Sequence, residues 1–334
     1  MSSIKYDVIA VGNAIVDVLA PATDAFLEEL NIPKNAMNLI DEDRATSLYA
    51  AMAAGKEASG GSAANTVAGV ASLGGSAAYI GKVADDQLGE IFTHDIRAIG
   101  VDFNTPPLKG GPATARCLIN VTPDAARSMS TFLGAAGLVT AADVEAGADA
   151  IAASRIVYLE GYLFDRDEAK TSFVRAAELA ASAGRMTALT LSDLFCVERH
   201  RDAFKDLIAN HIDILLANDA EIKALYQTED FDAAVQMAAK HVEVVAVTRG
   251  ADGAVMVRDG NTVRIPAEPV DTLVDTTGAG DLFAAGFLLG IAREQSLENA
   301  GKMGAISAAE VISHYGARPE SELNAHISDA GIAL

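Results

Sequence analysis

After Thr140 the chain alternates between short apolar runs and longer stretches of helical spacing, and this alternation restricts the fold more than any other feature. Residues 155–159, 186–191, 213–216 and 242–248 read as buried strands. Between them, residues around 168–183, 198–210 and 219–226 read as helices. Strands alternating with helices predict a mostly parallel, Rossmann-like α/β sheet flanked by helices, with right-handed crossovers. Earlier in the chain, residues 6–12 and 14–20 read as strands, 62–73 as a helix, 76–83 as a strand and 87–99 as a helix. Near the end, strands 253–257 and 262–265 precede helices 279–292 and 297–314. Two β-like stretches, 14–40 and 113–133, break the alternation. The second holds runs 113–121 and 127–133 around a Pro123-Asp124 turn. They are expected to form a small β-sheet lid over the large sheet, as insertions in one folding unit spanning 1–334.

No apolar run approaches the roughly 18 residues that cross a bilayer. Asp7, Asn13 and Asp17 interrupt the start, so no signal peptide is expected and the setting is read as cytoplasmic. Cys117 and Cys196 make no disulfide framework and lack metal-ligand spacing. The formal charge is −21, from 46 acidic and 25 basic residues. Such a surface repels nucleic acid and anionic lipid, so neither is expected as a partner. An anionic ligand must therefore be held by local devices: helix N-termini, bare amides, a metal ion, a few arginines.

The string Asp275-Thr276-Thr277-Gly278-Ala279-Gly280-Asp281 has that character. A Gly-x-Gly step opening an apolar helix exposes the amides of Gly278, Ala279 and Gly280 at the positive end of the helix dipole. Such an anion site suits a transferring phosphoryl group. Asp281, in the first helical turn, has the place and chemistry of a general base for an attacking hydroxyl; the blander reading is a helix capped by Thr277. No Gly-Lys continues to Ser or Thr, which excludes a P-loop. Phe283 stands where a dinucleotide fingerprint needs its third Gly.

Weaker signals accompany this one. In Gly60-Gly61-Ser62-Ala63-Ala64-Asn65, the glycines admit a ligand closely and Asn65 offers both donor and acceptor to hydroxyls, or Ser62 simply caps the helix. Asn13 and Asp17, beyond the first strand, bracket a vicinal diol or serve turn chemistry. Asn218 and Glu221 are oxygen ligands suited to hydrated Mg²⁺, and equally a capping box. Thr248 to Gly253 reads as a strand end entering a Gly-rich turn.

Taken together and in this order, these segments resemble the ribokinase-like (PfkB) family of carbohydrate and nucleoside kinases over nearly the whole chain. DTTGAGD is close to its C-terminal signature, GGSAAN to its substrate motif, NDAE to its N-x-x-E motif and TRGADG to its nucleotide-side turn. The resemblance implies ATP as co-substrate with Mg²⁺, Asp281 as base, and an anion hole from Gly278, Ala279 and Gly280. It places Asn13, Asp17, Gly61 and Asn65 on substrate hydroxyls, Asn218 and Glu221 on Mg²⁺ through water, and Thr248 and Gly250 near the nucleotide. Many members use a monovalent cation such as K⁺, for which Asp275 and Thr277 are the candidates by position. Within the family, residues 114–137 and 159–162 are most similar to the adenosine-phosphorylating subgroup. That likeness would stack Tyr162 on adenine, with core packing as the alternative, and bring Arg127 to phosphate as the lid closes. GGSAA is shared with sugar-specific members, so ribose, fructose, a keto-deoxy sugar acid or another nucleoside stays open as the acceptor. A monomer or homodimer is expected.

Overall fold

The computed structural model describes residues 3–124 and 126–334. Met1 and Ser2 of the N-terminal reading, and Ala125 of the expected lid, lie outside the described residues.

The strands are β1 (Tyr6–Val11), β2 (Ile15–Pro21), β3 (Met37–Leu39), β4 (Lys56–Gly60), β5 (Ala77–Ile80), β6 (Val101–Phe103) and β7 (Ala115–Val121). They continue with β8 (Arg127–Phe132), β9 (Ser154–Glu160), β10 (Met186–Thr190), β11 (Ile214–Asn218), β12 (Val244–Thr248), β13 (Ala254–Arg258) and β14 (Asn261–Ile265). The large sheet has the order β14-β13-β12-β11-β10-β9-β1-β5-β6. From β6 to β12 every pairing is parallel, and β13 and β14 add an antiparallel hairpin at the edge. Parallel strands need both faces covered, which is why β1 is buried along its whole length. Val8 and Ala10 join one apolar cluster and Ile9 and Val11 the other, on opposite faces of the sheet.

After β1 the chain builds outward to β5 and β6, then returns to place β9 on the other side of β1. The order of construction reverses between β1 and β9, and in open α/β sheets ligands bind beyond the carboxyl ends of strands at such a point. Gly12 and Asn13 leave β1 there, and Glu160 ends β9 beside them.

A second sheet has the order β3-β8-β7-β2-β4. It differs from the expected insertions in two ways. The helix Asp24–Glu29 lies within 14–40, and β4 lies beyond it. Lys56 and Glu57 make β4 read as loop, yet it completes the sheet by pairing antiparallel with β2. The chain enters the small sheet through Gly12–Ala14 before β2 and leaves it through Gly61 after β4.

The helix Ala279–Ala292 is buried from Leu282 onward and packs against the helices Ser62–Ser72 and Leu297–Val311. A Cβ at Gly69 would stand 2.6 Å from Ala285 Cβ and Leu282 Cδ1. Only a glycine there lets the first two helices approach closely enough for their N-terminal ends to meet.

Among the described residues, no helix is long and apolar enough to cross a membrane.

Candidate active site

At that junction lies Asp281. Its Oδ1 accepts a hydrogen bond from Ser62 Oγ at 2.6 Å, and its Oδ2 accepts one from Asn65 Nδ2 at 3.0 Å. Burial raises the proton affinity of the carboxyl above the usual range, while the Ser62 and Asn65 bonds and the charge of Arg318 oppose the rise. Ser62 is therefore a partner of Asp281 and does not cap its helix; Gly61 occupies the N-cap with φ 95° and no side-chain bond. Likewise Gly278, with φ 81°, is the N-cap of the helix Ala279–Ala292, while Thr277 turns its hydroxyl to Asp275. Of the three amides expected to form an anion hole, that of Ala279 donates to Thr276 O at 3.2 Å. Those of Gly278 and Gly280 have no acceptor among the described residues. The helix end offers two uncommitted donors beside a carboxylate of raised basicity, which suits capture of an anion and removal of a nearby proton.

Asn13 and Asp17 lie beside the Gly60-Gly61 turn and are held differently. Asn13 is buried, donating through Nδ2 to Glu160 Oε1 at 2.6 Å and through its backbone to Oε2 at 3.3 Å. Glu160 also accepts from Ala63 N at 2.8 Å, so one carboxylate ties together β1, β9 and the GGSAAN turn. It is 1% exposed, and burial pushes its carboxyl up to about 7 against those three donors. Asp17, on the half-buried face of β2, has no hydrogen-bond partner among the described residues. Burial lifts it to about 6, with Arg318 drawing it down, Asp281 pushing it up and Arg127 drawing it down. A carboxylate kept near its partners' charges but without a donor is an acceptor in waiting for ligand hydroxyls. Both glycines of the turn are required for this. A Cβ on Gly60 would fall 2.3 Å from Asp17 Oδ2, and one on Gly61 would fall 2.2 Å from Asn13 O.

Asp275 and Thr277 do not fit a monovalent-cation site. Asp275 Oδ1 accepts from Thr277 N and Oγ1, at 3.1 and 2.7 Å, and Oδ2 accepts from Gly316 N at 3.1 Å. Arg127 of β8 then pairs with Oδ2 at 2.7 Å, both side chains being 8% exposed. The guanidinium lies over the ring of Tyr315 and reaches Thr277 Oγ1 at 3.5 Å. The carboxylate that would have held a cation already has one, supplied by the small sheet.

Asn218 and Glu221 form a reciprocal capping box: Asn218 Oδ1 accepts from Glu221 N, and the Glu221 carboxylate accepts from Asn218 N and Nδ2. Glu221 is buried, and its carboxyl is pushed up to about 7. With both oxygens committed, it does not fit as a direct metal ligand. No group of three or more His, Cys, Asp or Glu among the described residues could hold a metal. Thr248 pairs with Asn218 in register at the ends of β12 and β11, and Gly250, exposed with φ 55°, starts the turn beyond.

Tyr162 follows Glu160 and is 37% exposed rather than packed in the core. Burial of much of its ring raises its phenol, and the charges of Asp193, Asp281, Glu221 and Glu160 add to the rise. Beyond the neighbouring strand β10, Phe195 is 64% exposed at the start of the helix Leu194–His211. Sequence reading missed Phe195, the bracing role of Glu160, and Arg318. Their only local signals are a large aromatic opening a helix, an acid ending an apolar strand, and a cation beside Gly316.

The model of the pfkB family carbohydrate kinases matches residues 34–323. A solved adenosine kinase from Sinorhizobium meliloti is 53% identical, with TM-score 0.89, over 98% of this chain and 99% of that one. A probable sugar kinase from Rhizobium etli CFN 42 is 48% identical, with TM-score 0.90, over 98% and 99%. The adenosine kinase of Saccharomyces cerevisiae is 27% identical, over 94% of this chain and 97% of its own length. A match across most of the chain, together with an acidic residue set against a bare helix N-terminus, leaves no ambiguity about kinship, and the chain belongs to the pfkB family of carbohydrate kinases.

Proposed function

We propose that this enzyme transfers the γ-phosphoryl group of ATP to the 5′-hydroxyl of adenosine, giving AMP and ADP in a purine-salvage reaction. The observation that carries the reading is the Asp281 carboxylate, held by Ser62 and Asn65 at the mouth of a helix whose Gly278 and Gly280 amides are free. Asp281 takes the hydroxyl proton as the oxygen attacks phosphorus, and the two amides meet the charge on the transferring group. Asp17 accepts from the ribose hydroxyls, Asn65 donates to the base and so fixes its position, and Asn13 and Gly61 shape the wall. Tyr162 and Phe195, exposed beyond the ends of adjacent strands, suit the faces of a purine, which a free sugar would leave bare. This favours adenosine over a sugar acceptor, as does the 53% identity to a protein described as an adenosine kinase.

Thr248 and Gly250 lie toward the nucleotide. Mg²⁺ is expected with the phosphates, and it would keep most of its waters. Asn218, which is exposed, would hold the ion through those waters, while Glu221 holds Asn218 in place through the capping box. When bound, the ion offsets phosphate charge. At Asp275 the positive charge beside the carboxylate comes from Arg127. The small sheet serves as the lid, excluding water that would otherwise take the phosphoryl group.

The test is an ADP-release assay with ATP and a panel of acceptors: adenosine, other nucleosides, ribose, fructose and a keto-deoxy sugar acid. Adenosine is expected to give the highest kcat/KM, by at least about 100-fold, because a site built for a nucleobase leaves its contacts unmade with a sugar. A free sugar outperforming adenosine would overturn the acceptor assignment and leave the phosphotransferase chemistry standing.

A further inference from the structure

Arg318 lies outside every sequence motif of the site. It lies in the bent segment after the helix Leu297–Val311, 253 residues from its nearest partner along the chain. Its Nε donates to Asn65 Oδ1 at 2.8 Å, and its Nη2 donates to Ser59 Oγ at 3.0 Å. Ser59 in turn donates through Oγ and N to Asp95 Oδ2, at 2.5 and 2.7 Å. The guanidinium is thus fixed at two points and backed by an acid on a third element.

An asparagine amide can sit in either sense, and here only one sense works. A guanidinium has donors and no acceptor, so it claims the carbonyl oxygen of Asn65 and leaves the NH₂ to face Asp281. A flipped amide would set NH₂ against N–H on one side and oxygen against carboxylate on the other. The same charge acts on both acids of the site. Asp281 is faced by Arg318, by Asp17 on β2, by Glu160 on β9 and by the phenols of Tyr158 and Tyr162. Asp17 is faced by Arg318, Asp281 and Arg127, and it acts on the Cys117 thiol. Arg318 is the cation acting on both carboxylates.

We propose that Arg318 is a positioning residue for phosphoryl transfer: fixed between Asn65 and Ser59, it orients the Asn65 amide toward Asp281. The proposal rests on the reading of Asp281 as the base.

The experiment compares kcat against pH, with adenosine and ATP, for the native enzyme, Arg318→Met, Arg318→Lys, Asn65→Leu and the Arg318→Met/Asn65→Leu double variant, with Asp281→Asn in parallel. Arg318→Met is expected to lower kcat by about 100-fold, the scale of a misplaced catalytic group, and to move the acidic limb upward by about one pH unit, the scale of a lost opposite charge. Arg318→Lys should restore the limb but not the full rate, since an ammonium supplies the charge without the two-point fork. The double variant should be no slower than the worse of its two parents, because both act through one amide. A native limb and near-native kcat in Arg318→Met, or losses that multiply in the double variant, would overturn the proposal. If Arg318→Met fails to fold, Arg318→Lys decides: a native rate there sinks it. A fast Asp281→Asn enzyme would instead remove the base assignment, and with it the role of Arg318.

Discussion

Asp281→Asn is expected to lower kcat by about two to four orders of magnitude, the range for loss of a positioned general base, while substrate binding stays close to native. The substitution is unusually clean here. The oxygen of the introduced amide can accept from Asn65 Nδ2, and its NH₂ can donate to Ser62 Oγ, which serves as donor or acceptor alike. What disappears is the basic lone pair and the charge. Burial raises the Asp281 pKa, so the folded protein binds that proton more tightly than the unfolded chain does. Between the unfolded and folded values, stability therefore falls as pH rises. The neutral amide removes that term, and Asp281→Asn should melt no lower than the native protein at pH 8. The native rate runs the opposite way, since it needs the ionised form. Its acidic limb is expected above the ordinary carboxylate range, because burial raises the Asp281 carboxyl. Turnover by stopped assay and melting by calorimetry check both halves. A variant that is slow only because it is unfolded would show in the second.

Gly278→Ala is expected to combine a rate loss of about 100- to 1000-fold, the cost of a misplaced anion-hole donor, with a loss of stability. A side chain at φ 81° costs about 1–2 kcal/mol. The added methyl would also stand 2.7 Å from Ala317 Cα and 2.8 Å from its Cβ, and relief of such a clash costs roughly 1–3 kcal/mol. Ala317 adjoins Arg318, so the displaced backbone carries the guanidinium away from Asn65 and damages the site from two sides. Gly280→Ala is the contrast. Its Cβ meets nothing within 4 Å and its φ is not positive, so stability should be unchanged while the methyl crowds the anion's approach. Denaturant unfolding and steady-state kinetics on the pair separate strain from obstruction. Equal stability in the two variants would contradict the account of the N-cap.

The parallel sheet was legible because its signal is local: short apolar runs, bounded by turns, alternating with helical spacing. The helices at 219–226 and 279–292 match their expected bounds. β4 was not legible, because Lys56 and Glu57 open an edge strand that has no apolar run and is held by pairing with β2. The motif residues around Asp281 could be found because glycine next to acid at a helix start has a chemical meaning by itself. Arg318 and Glu160 could not, since each acts by touching residues far away in sequence, and an isolated arginine or glutamate carries no mark of that. Asp275 shows what sequence order leaves open. Its place in the signature suggested a cation ligand, but only the structure reveals that Arg127 crosses from the small sheet to occupy it.

The whole account depends on a nucleoside hydroxyl and a phosphoryl group meeting between Asp281 and the uncommitted amides. A crystal structure of the enzyme with adenosine and a non-hydrolysable ATP analogue measures that directly. The 5′-oxygen is expected within about 2.6–3.2 Å of an Asp281 carboxylate oxygen, the reach of a general base, with the terminal phosphate against the Gly278 and Gly280 N–H groups. A ribose whose 5′-oxygen points away from Asp281, or a terminal phosphate bound elsewhere than at those amides, would contradict it.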